Sequence, residues 1–273
     1  MSTISRTAEV ATIDPVWDAV TSGARRVAQA EPSLANLVYS NVLNHDGFES
    51  ALAHRLAERL GHPDVSADLI RQAFHDALAI RPEIGLEARA DLAATLERDP
   101  ALHKAVDGFL YFKGYHAIQT HRFTHTLWMS GRKDFALYLQ SRSSAVFQVD
   151  INPAARIGRG IMLDHATGFV VGETAVIGDN VSILQGVTLG GTGKSEEDRH
   201  PKIGNGVLIG AGAIVLGNIK VGECARIGAG SVVVKEVPPR VTVAGVPARI
   251  IGEAGTAHPA SVMDQSLSLD TTG

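Results

Sequence analysis

The chain has 273 residues, 45% of them hydrophobic and 20% charged, which is enough for one large domain or two ordinary ones with a buried core and excludes a disordered polypeptide. Its 25 Lys and Arg stand against 29 Asp and Glu, and the resulting net charge of −4 supplies no basic field for nucleic acid. The single cysteine, Cys224, can form neither an internal disulfide nor a cysteine-based metal cluster. No apolar leader follows Met1, and no run approaches the roughly 18 apolar residues of a membrane span, so a cytoplasmic protein without membrane contact is expected.

The first half is punctuated as helices. Asp14-Pro15 reads as an N-cap with proline at the first helical position, and Pro32-Ser33 separates this helix from the next. Leu52, Leu56 and Leu60 recur at helical spacing ahead of Gly61, which the pattern predicts to be a left-handed C-terminal cap. Residues 64–80, 83–97 and 109–129 read the same way, with Pro82, Pro100 and Gly131 as breaks. A helical domain over residues 1–145 is predicted.

Glycine marks the change that follows: seven glycines in residues 1–150 become nineteen in residues 151–252. From Ile151 an apolar residue returns every sixth position, at Ile157, Leu163, Phe169, Ala175, Val181 and Val187. After a ten-residue polar insertion, Gly193 to Lys202, it resumes at Ile203, Ile209, Val215, Val221, Ile227 and Val233. A helix cannot use a period of six, whereas short strands joined by tight corners can, with roughly 18 residues per coil and coils about 4.8 Å apart. The predicted fold is α + β: the helical domain, then a left-handed parallel β-helix of hexapeptide repeats over 146–252, then a flexible tail over 253–273.

Polar residues that such a repeat does not need point to function. Asp164-His165 sets a carboxylate beside an imidazole where neighbouring hexads carry glycine and a small or basic residue, and the insertion interrupts an otherwise regular solenoid. Around these residues Phe147-Gln-Val-Asp-Ile-Asn-Pro-Ala-Ala-Arg-Ile-Gly-Arg-Gly-Ile-Met-Leu-Asp-His-Ala-Thr-Gly168, Leu189-Gly-Gly-Thr-Gly-Lys194 and Asp198-Arg-His-Pro-Lys-Ile203 closely resemble serine O-acetyltransferases. So do Ala244-Gly-Val-Pro-Ala-Arg249, Tyr111-Phe-Lys-Gly-Tyr-His-Ala-Ile-Gln119 and Arg98-Asp-Pro-Ala101, and the likeness covers roughly residues 14 to 252.

The resemblance implies acetyl transfer from acetyl-CoA, a co-substrate with no permanently bound cofactor, to the hydroxyl of L-serine, the first step toward cysteine. His165 matches the family's general base and Asp150 the carboxylate that orients it. Counted from Asp150, His165 falls three positions short of one full coil, which predicts neighbours that are not directly stacked. Asp99 and Asp164 match the site of the serine ammonium, Arg199 and His200 that of its carboxylate, which a guanidinium fork suits. Gly191, Ala211 and Ala229 match the small residues along which the pantetheine arm of CoA lies, and Lys220, Arg226, Lys235 and Arg249 are candidates for its phosphates. The family pattern also implies inhibition by L-cysteine at the serine site and a homo-oligomer of trimers paired into a hexamer. A complex with O-acetylserine sulfhydrylase is doubtful, because the terminal isoleucine used by many relatives is absent from Leu269-Asp-Thr-Thr-Gly273.

No metal site is expected. His121 and His125 stand four apart with His116 nearby, but no cysteine or metalloprotease glutamate accompanies them. Trp17 and Trp128 read as core anchors. Another hexapeptide acyltransferase, acting on a sugar or on homoserine, fits the repeat but not the insertion, and a β-helix metalloenzyme needs three histidines where residues 151–252 hold two, His165 and His200. A purely structural β-helix leaves Asp164-His165 unexplained.

Overall fold

The computed structural model describes residues 14–193 and 196–267. Helix α1 (Pro15–Ala30) starts as its sequence indicates, with Asp14 accepting the Trp17 N–H at 3.0 Å. After a short turn and α2 (Ala35–Val38), the helices α3 (Phe48–Leu60), α4 (Ala67–Ile80) and α5 (Glu83–Arg98) pack around Phe48, Leu52, Leu56, Phe74 and Leu92. Two local expectations change. Gly61 has φ −53° and is not a left-handed cap; its missing side chain instead lets the chain pass Ala67, whose Cβ would stand 3.2 Å from a Cβ at 61. The helix expected over 109–129 is two, α6 (Ala105–Tyr111) and α7 (Lys113–Met129), because Phe112 takes an extended conformation between them. Helix α8 (Lys133–Phe147) ends on a left-handed Gln148 that turns the chain into the first strand.

Helix α7 is buried on nearly every side, so its polar residues must find partners inside the protein. Arg122 donates to Asp91 at 2.6 Å, to Glu87 at 2.9 Å and to the Gly158 carbonyl at 2.7 Å, while Gln119 donates to Asp91 at 2.8 Å. Asp91 in turn accepts the Ile161 N–H at 2.8 Å, so one buried carboxylate joins α5, α7 and the β-helix. His121 and His125 donate to the carbonyls of Ala155 and Pro153, and His116 to that of Phe109. Burial pushes His116 down to about 3 and His121 well below its usual range, which keeps both neutral. The three histidines thus dock helices; among the described residues no group of His, Cys, Asp and Glu is arranged to hold a metal.

Beyond Gln148 the chain winds into a left-handed parallel β-helix with three faces. The first face pairs Val149–Ile151, Phe169–Val171, Thr188–Gly190, Ile214–Leu216 and Val232–Val233 in parallel order. The second pairs Arg156–Ile157, Val176–Ile177, Lys202–Ile203 and Lys220–Val221. The third pairs Met162–Leu163, Ser182–Ile183, Leu208–Ile209 and Arg226–Ile227, and closes with the antiparallel hairpin Val241–Gly245 and Ala248–Glu253.

The register corrects the six-residue count. Ile151 lies over Val171, Val171 over Leu189 and Ile177 over Ile203. The step from Val171 to Leu189 is a plain coil of three hexads; the step from Ile151 to Val171 is two residues longer, and that from Ile177 to Ile203 eight longer. The two extra residues of the first coil enter immediately after Asp164, which aligns with Leu184, and before Thr167, which aligns with Gln185, so they are His165 and Ala166; the eight of the third form the polar loop. The slip escapes a count of apolar positions because each hexad turns two residues inward: Phe169, Ala175, Val181 and Val187 are as buried as Val171, Ile177, Ile183 and Leu189. The small Ala175 in a column of large residues is the trace of it in the sequence.

Residues 253–267 fold back on the third face, where composition suggested an open tail. Ser182 donates to the Ala260 carbonyl at 2.7 Å, and Arg226 donates to the carbonyls of Ala254 and Ser266. Arg226 is thereby buried and occupied by backbone, which removes it from the candidates for CoA phosphates. Leu269-Asp-Thr-Thr-Gly273, on which the sulfhydrylase expectation rests, lies outside the described residues. No described helix is long and apolar enough to cross a membrane.

Because Asp91 is, among the described residues, the carboxylate that touches both Arg122 and the β-helix backbone, Asp91→Ala leaves a guanidinium buried and short of partners. A loss of about 3–5 kcal/mol is expected in chemical denaturation, against little change for an exposed control such as Asp68→Ala.

Candidate active site

Three segments meet at the edge between the third and first faces. Helix α5 ends at Arg98, whose buried guanidinium donates to the Gly160 carbonyl at 3.0 Å and to Ser182 Oγ at 3.1 Å. This pins the next residue, Asp99, over the same edge, with its carboxylate accepting the Ala101 N–H at 2.8 Å. Helix α7 begins there with Lys113 and Gly114. The corner itself carries Asp164 and His165, and together these segments enclose a cavity of about 870 Å³. Ser261, Val262, Met263 and Gln265 of the folded-back tail form its far wall.

Inside this cavity His165 Nε2 stands 3.7 Å from Asp164 Oδ1, with the imidazole 75% exposed and the carboxylate 22%. An exposed imidazole beside a half-buried carboxylate can take a proton from a bound hydroxyl and return it. Burial pushes Asp164 above the usual carboxylate range; His165 pulls it down, and the nearby Asp99 adds to the rise. Two carboxylates brought together at a cost to both solvation and repulsion are suited to an ammonium group.

The other expected residues lie elsewhere. Asp150 faces outward from the first face and accepts Gln140 Nε2 at 2.6 Å; no hydrogen bond or ion pair among the described residues joins it to His165. It stacks on Val170, so His165 falls five positions short of that stack, not three, because the first coil carries the two extra residues. Arg199 and His200 belong to the insertion, which leaves from the edge between the first and second faces. Arg199 donates to Glu173 at 2.7 Å and to the carbonyls of Glu196 and Glu197. His200 is buried; its Nδ1 accepts the Thr174 N–H at 3.2 Å, so the proton sits on Nε2, which is held over Gly172 and Gly191. Burial, then Arg199 and Lys202, push its pKa down, so it acts as a neutral donor. A Cβ at Gly172 would overlap the ring, and one at Gly191 would crowd it.

Ala211 and Ala229 stand on the His165 edge. Gly186 N–H donates to the Thr167 carbonyl, Gly212 N–H to Gln185 and Gly230 N–H to Ala211, which makes a column of small corners below Asp164-His165. Gly191 lies on the other edge. The structure thus gathers Asp99, Asp164, His165, Ala211 and Ala229 along one edge and Gly191, Arg199 and His200 on a second, with Asp150 between. Sequence reasoning misses Lys113, Gly114 and the tail residues at the cavity; the Lys-Gly pair at the start of a helix is a visible signal, while the tail contact has none.

A left-handed β-helix with a helical N-terminal half, one polar loop and an acid–imidazole corner defines a hexapeptide-repeat transferase, and a family model described as bacterial transferase hexapeptide (six repeats) matches residues 200–235. The model for the serine acetyltransferase N-terminal region matches residues 16–120. Serine acetyltransferase of Salmonella typhimurium is 54% identical over 256 residues, 94% of each chain. The crystal structure of serine acetyltransferase in complex with coenzyme A from Brucella abortus superposes with a TM-score of 0.88 at 60% identity, covering 90% of this chain and 98% of that one. A serine acetyltransferase in complex with cysteine gives 0.91 at 51% identity, covering 92% and 98%. The chain belongs to the serine acetyltransferase family and is an acyltransferase enzyme.

A raised Asp164 pKa means that the folded protein carries the ionised carboxylate at a cost, present above the carboxylate range and gone below it. Asp164→Asn is therefore expected to melt at a higher temperature than the parent chain at pH 7, with the advantage shrinking as pH falls through that range. Calorimetry at several pH values measures it.

Proposed function

We propose that this chain transfers acetyl from acetyl-CoA to the L-serine hydroxyl, giving O-acetyl-L-serine and CoA and opening a route to cysteine in a reducing, cytoplasmic setting. The observation that carries this reading is the cavity that joins Asp99, Asp164 and His165. The two carboxylates hold the substrate ammonium and bring its hydroxyl to His165. The imidazole removes the hydroxyl proton as the oxygen attacks the thioester carbonyl carbon, and the imidazolium returns that proton to the departing CoA sulfur. The role of steadying the imidazolium falls to Asp150 by the family resemblance alone, since in this chain its carboxylate accepts Gln140 and no hydrogen bond or ion pair among the described residues joins it to His165. Arg199 and His200 supply the donors for the substrate carboxylate, and the small corners at Ala211, Ala229 and Gly191 admit the pantetheine arm. L-cysteine presents the same ammonium and carboxylate and inhibits by occupying the same place, as the cysteine complex of a relative supports.

Because the ammonium and carboxylate subsites lie on different edges of one triangular prism, one copy cannot close on the substrate. The reading therefore includes a trimer in which the insertion of one copy covers the His165 edge of the next, and pairing of two trimers through helical domains that expose Leu69, Ile80 and Leu86.

A coupled thiol-release assay with acetyl-CoA and L-serine tests the reaction. His165→Ala, with its fold verified by circular dichroism, is expected to lower kcat by roughly 10²–10⁴, the usual contribution of a general base; near-parental kcat overturns the assignment. Co-assembly tests the shared site. His165→Ala and Arg199→Ala subunits, each inactive alone, are expected to regain part of the activity when refolded together, and two variants that stay inactive as a mixed oligomer contradict a site built from two copies.

A further inference from the structure

The corner that carries His165 is strained. His165 (φ 54°) and Ala166 (φ 64°) both occupy the left-handed region that residues with a side chain seldom adopt. Each is the middle of a three-residue turn: the Asp164 carbonyl accepts the Ala166 N–H at 2.5 Å, and the His165 carbonyl accepts the Thr167 N–H at 2.8 Å. The corners stacked below have a single left-handed residue each, Gly186, Gly212 and Gly230, which match Gly168 of this corner, so the left-handed pair His165 and Ala166 is additional to the repeat. Turns of this kind persist only where their surroundings hold them.

The first turn of α7 supplies that hold. Gly114 lies so near the corner that a Cβ there would overlap the Leu163 carbonyl oxygen and stand 3.3 Å from the Cβ of Ala166, which is fully buried beneath the helix. Lys113 Nζ donates to Thr167 Oγ1, and the Thr167 hydroxyl donates to the His165 carbonyl at 3.4 Å. From the opposite side the Gly168 N–H donates to the Gln148 carbonyl at 2.8 Å, so the corner is gripped between the start of α7 and the end of α8. Nothing in the repeat calls for a helix at this point; the adjoining corners of the same edge are closed by backbone bonds between coils alone.

We propose that Lys113 and Gly114 are positioning residues for His165, through which the helical domain holds the strained corner in the geometry that aims the imidazole at the bound hydroxyl. This rests on the serine acetyltransfer reading above. Lys113 acts through Thr167: the other charged groups at the cavity, Glu97, Asp99 and Asp164, are acidic, and the Arg98 guanidinium is spent on Gly160 and Ser182.

Steady-state kinetics of the full-length oligomer with L-serine and acetyl-CoA tests this. Lys113→Met is expected to lower kcat about tenfold with both KM values within about twofold, since misplacing a reacting group costs turnover ahead of binding. Lys113→Arg, which keeps the donor, is expected to recover most of it. Thr167→Val is expected to match Lys113→Met, and the double variant to be no worse than either, as for two groups that act through one contact. Gly114→Ala, which forces helix and corner apart, is expected to cost about 10²-fold in kcat; if it fails to fold, the Lys113 and Thr167 series decides. An unchanged kcat in Lys113→Met, a raised KM for serine with kcat intact, or losses that multiply in the double variant each overturn the proposal. Parental protein that does not acetylate serine overturns the underlying reading and the proposal with it, whereas an active parent, an inactive His165→Ala and a fully active Lys113→Met overturn the positioning role alone.

Discussion

A single buried carboxylate, Asp91, ties the two halves of this protein together. Its oxygens take Arg122 and Gln119 from α7 and the Ile161 N–H from the β-helix, so helix and coil share one acceptor. Arg122 extends the same contact to the Gly158 carbonyl. A buried ion pair adds little net stability against a well-packed apolar alternative, but breaking it is costly, which makes it a strong constraint on geometry. From that constraint follows the placement of α5, and with α5 the placement of Asp99 over the cavity.

The triangular section of the β-helix imposes the second constraint. Each coil presents three edges that face different directions, and the candidate site residues are divided between two of them. Asp164 and His165 stand at one edge, where His165 and Ala166 are added to the coil, and Arg199 and His200 on a longer loop at another. A solenoid cannot bend one edge round to another without breaking the stacked hydrogen bonds that define it. On the proposed reading, a zwitterionic substrate that uses both edges calls for two copies of the chain.

Local conformation and chemistry converge at the same place. The corner where two residues are added is the one driven into left-handed geometry, and the helix that packs on it is the one whose polar side chains are spent on docking. The neutral, buried His116, His121 and the half-buried His125 serve that docking, each giving its N–H to a carbonyl. Imidazole is thus used in two ways in one chain: as fixed donors inside, and at His165 as an exposed group able to exchange a proton.

Much of this is legible in the sequence. The helical punctuation, the six-residue period and the polar interruption at Asp164-His165 are local patterns, and local patterns survive in one dimension because each residue type answers to its own backbone and to neighbours a few positions away. Apolar spacing misplaces the register by two residues after Leu163, since each hexad buries two positions and apolarity alone does not tell them apart; only strand pairing does. The cap expected at Gly61 and the unbroken helix over 109–129 fail because close approach of other segments, Ala67 in one case and the corner at Leu163 in the other, decides those backbones. What no count along the chain reveals is which distant groups share a cavity. Asp99 and His165 meet because the buried Arg98 and Asp91 place α5 on the third face, whereas Asp150 and Arg199, no less visible as polar residues, end on other sides of the prism. Sequence by itself determined the elements and the residues able to do the chemistry; the tertiary structure alone decided their grouping, because that grouping depends on which edge of a three-sided coil each residue reaches.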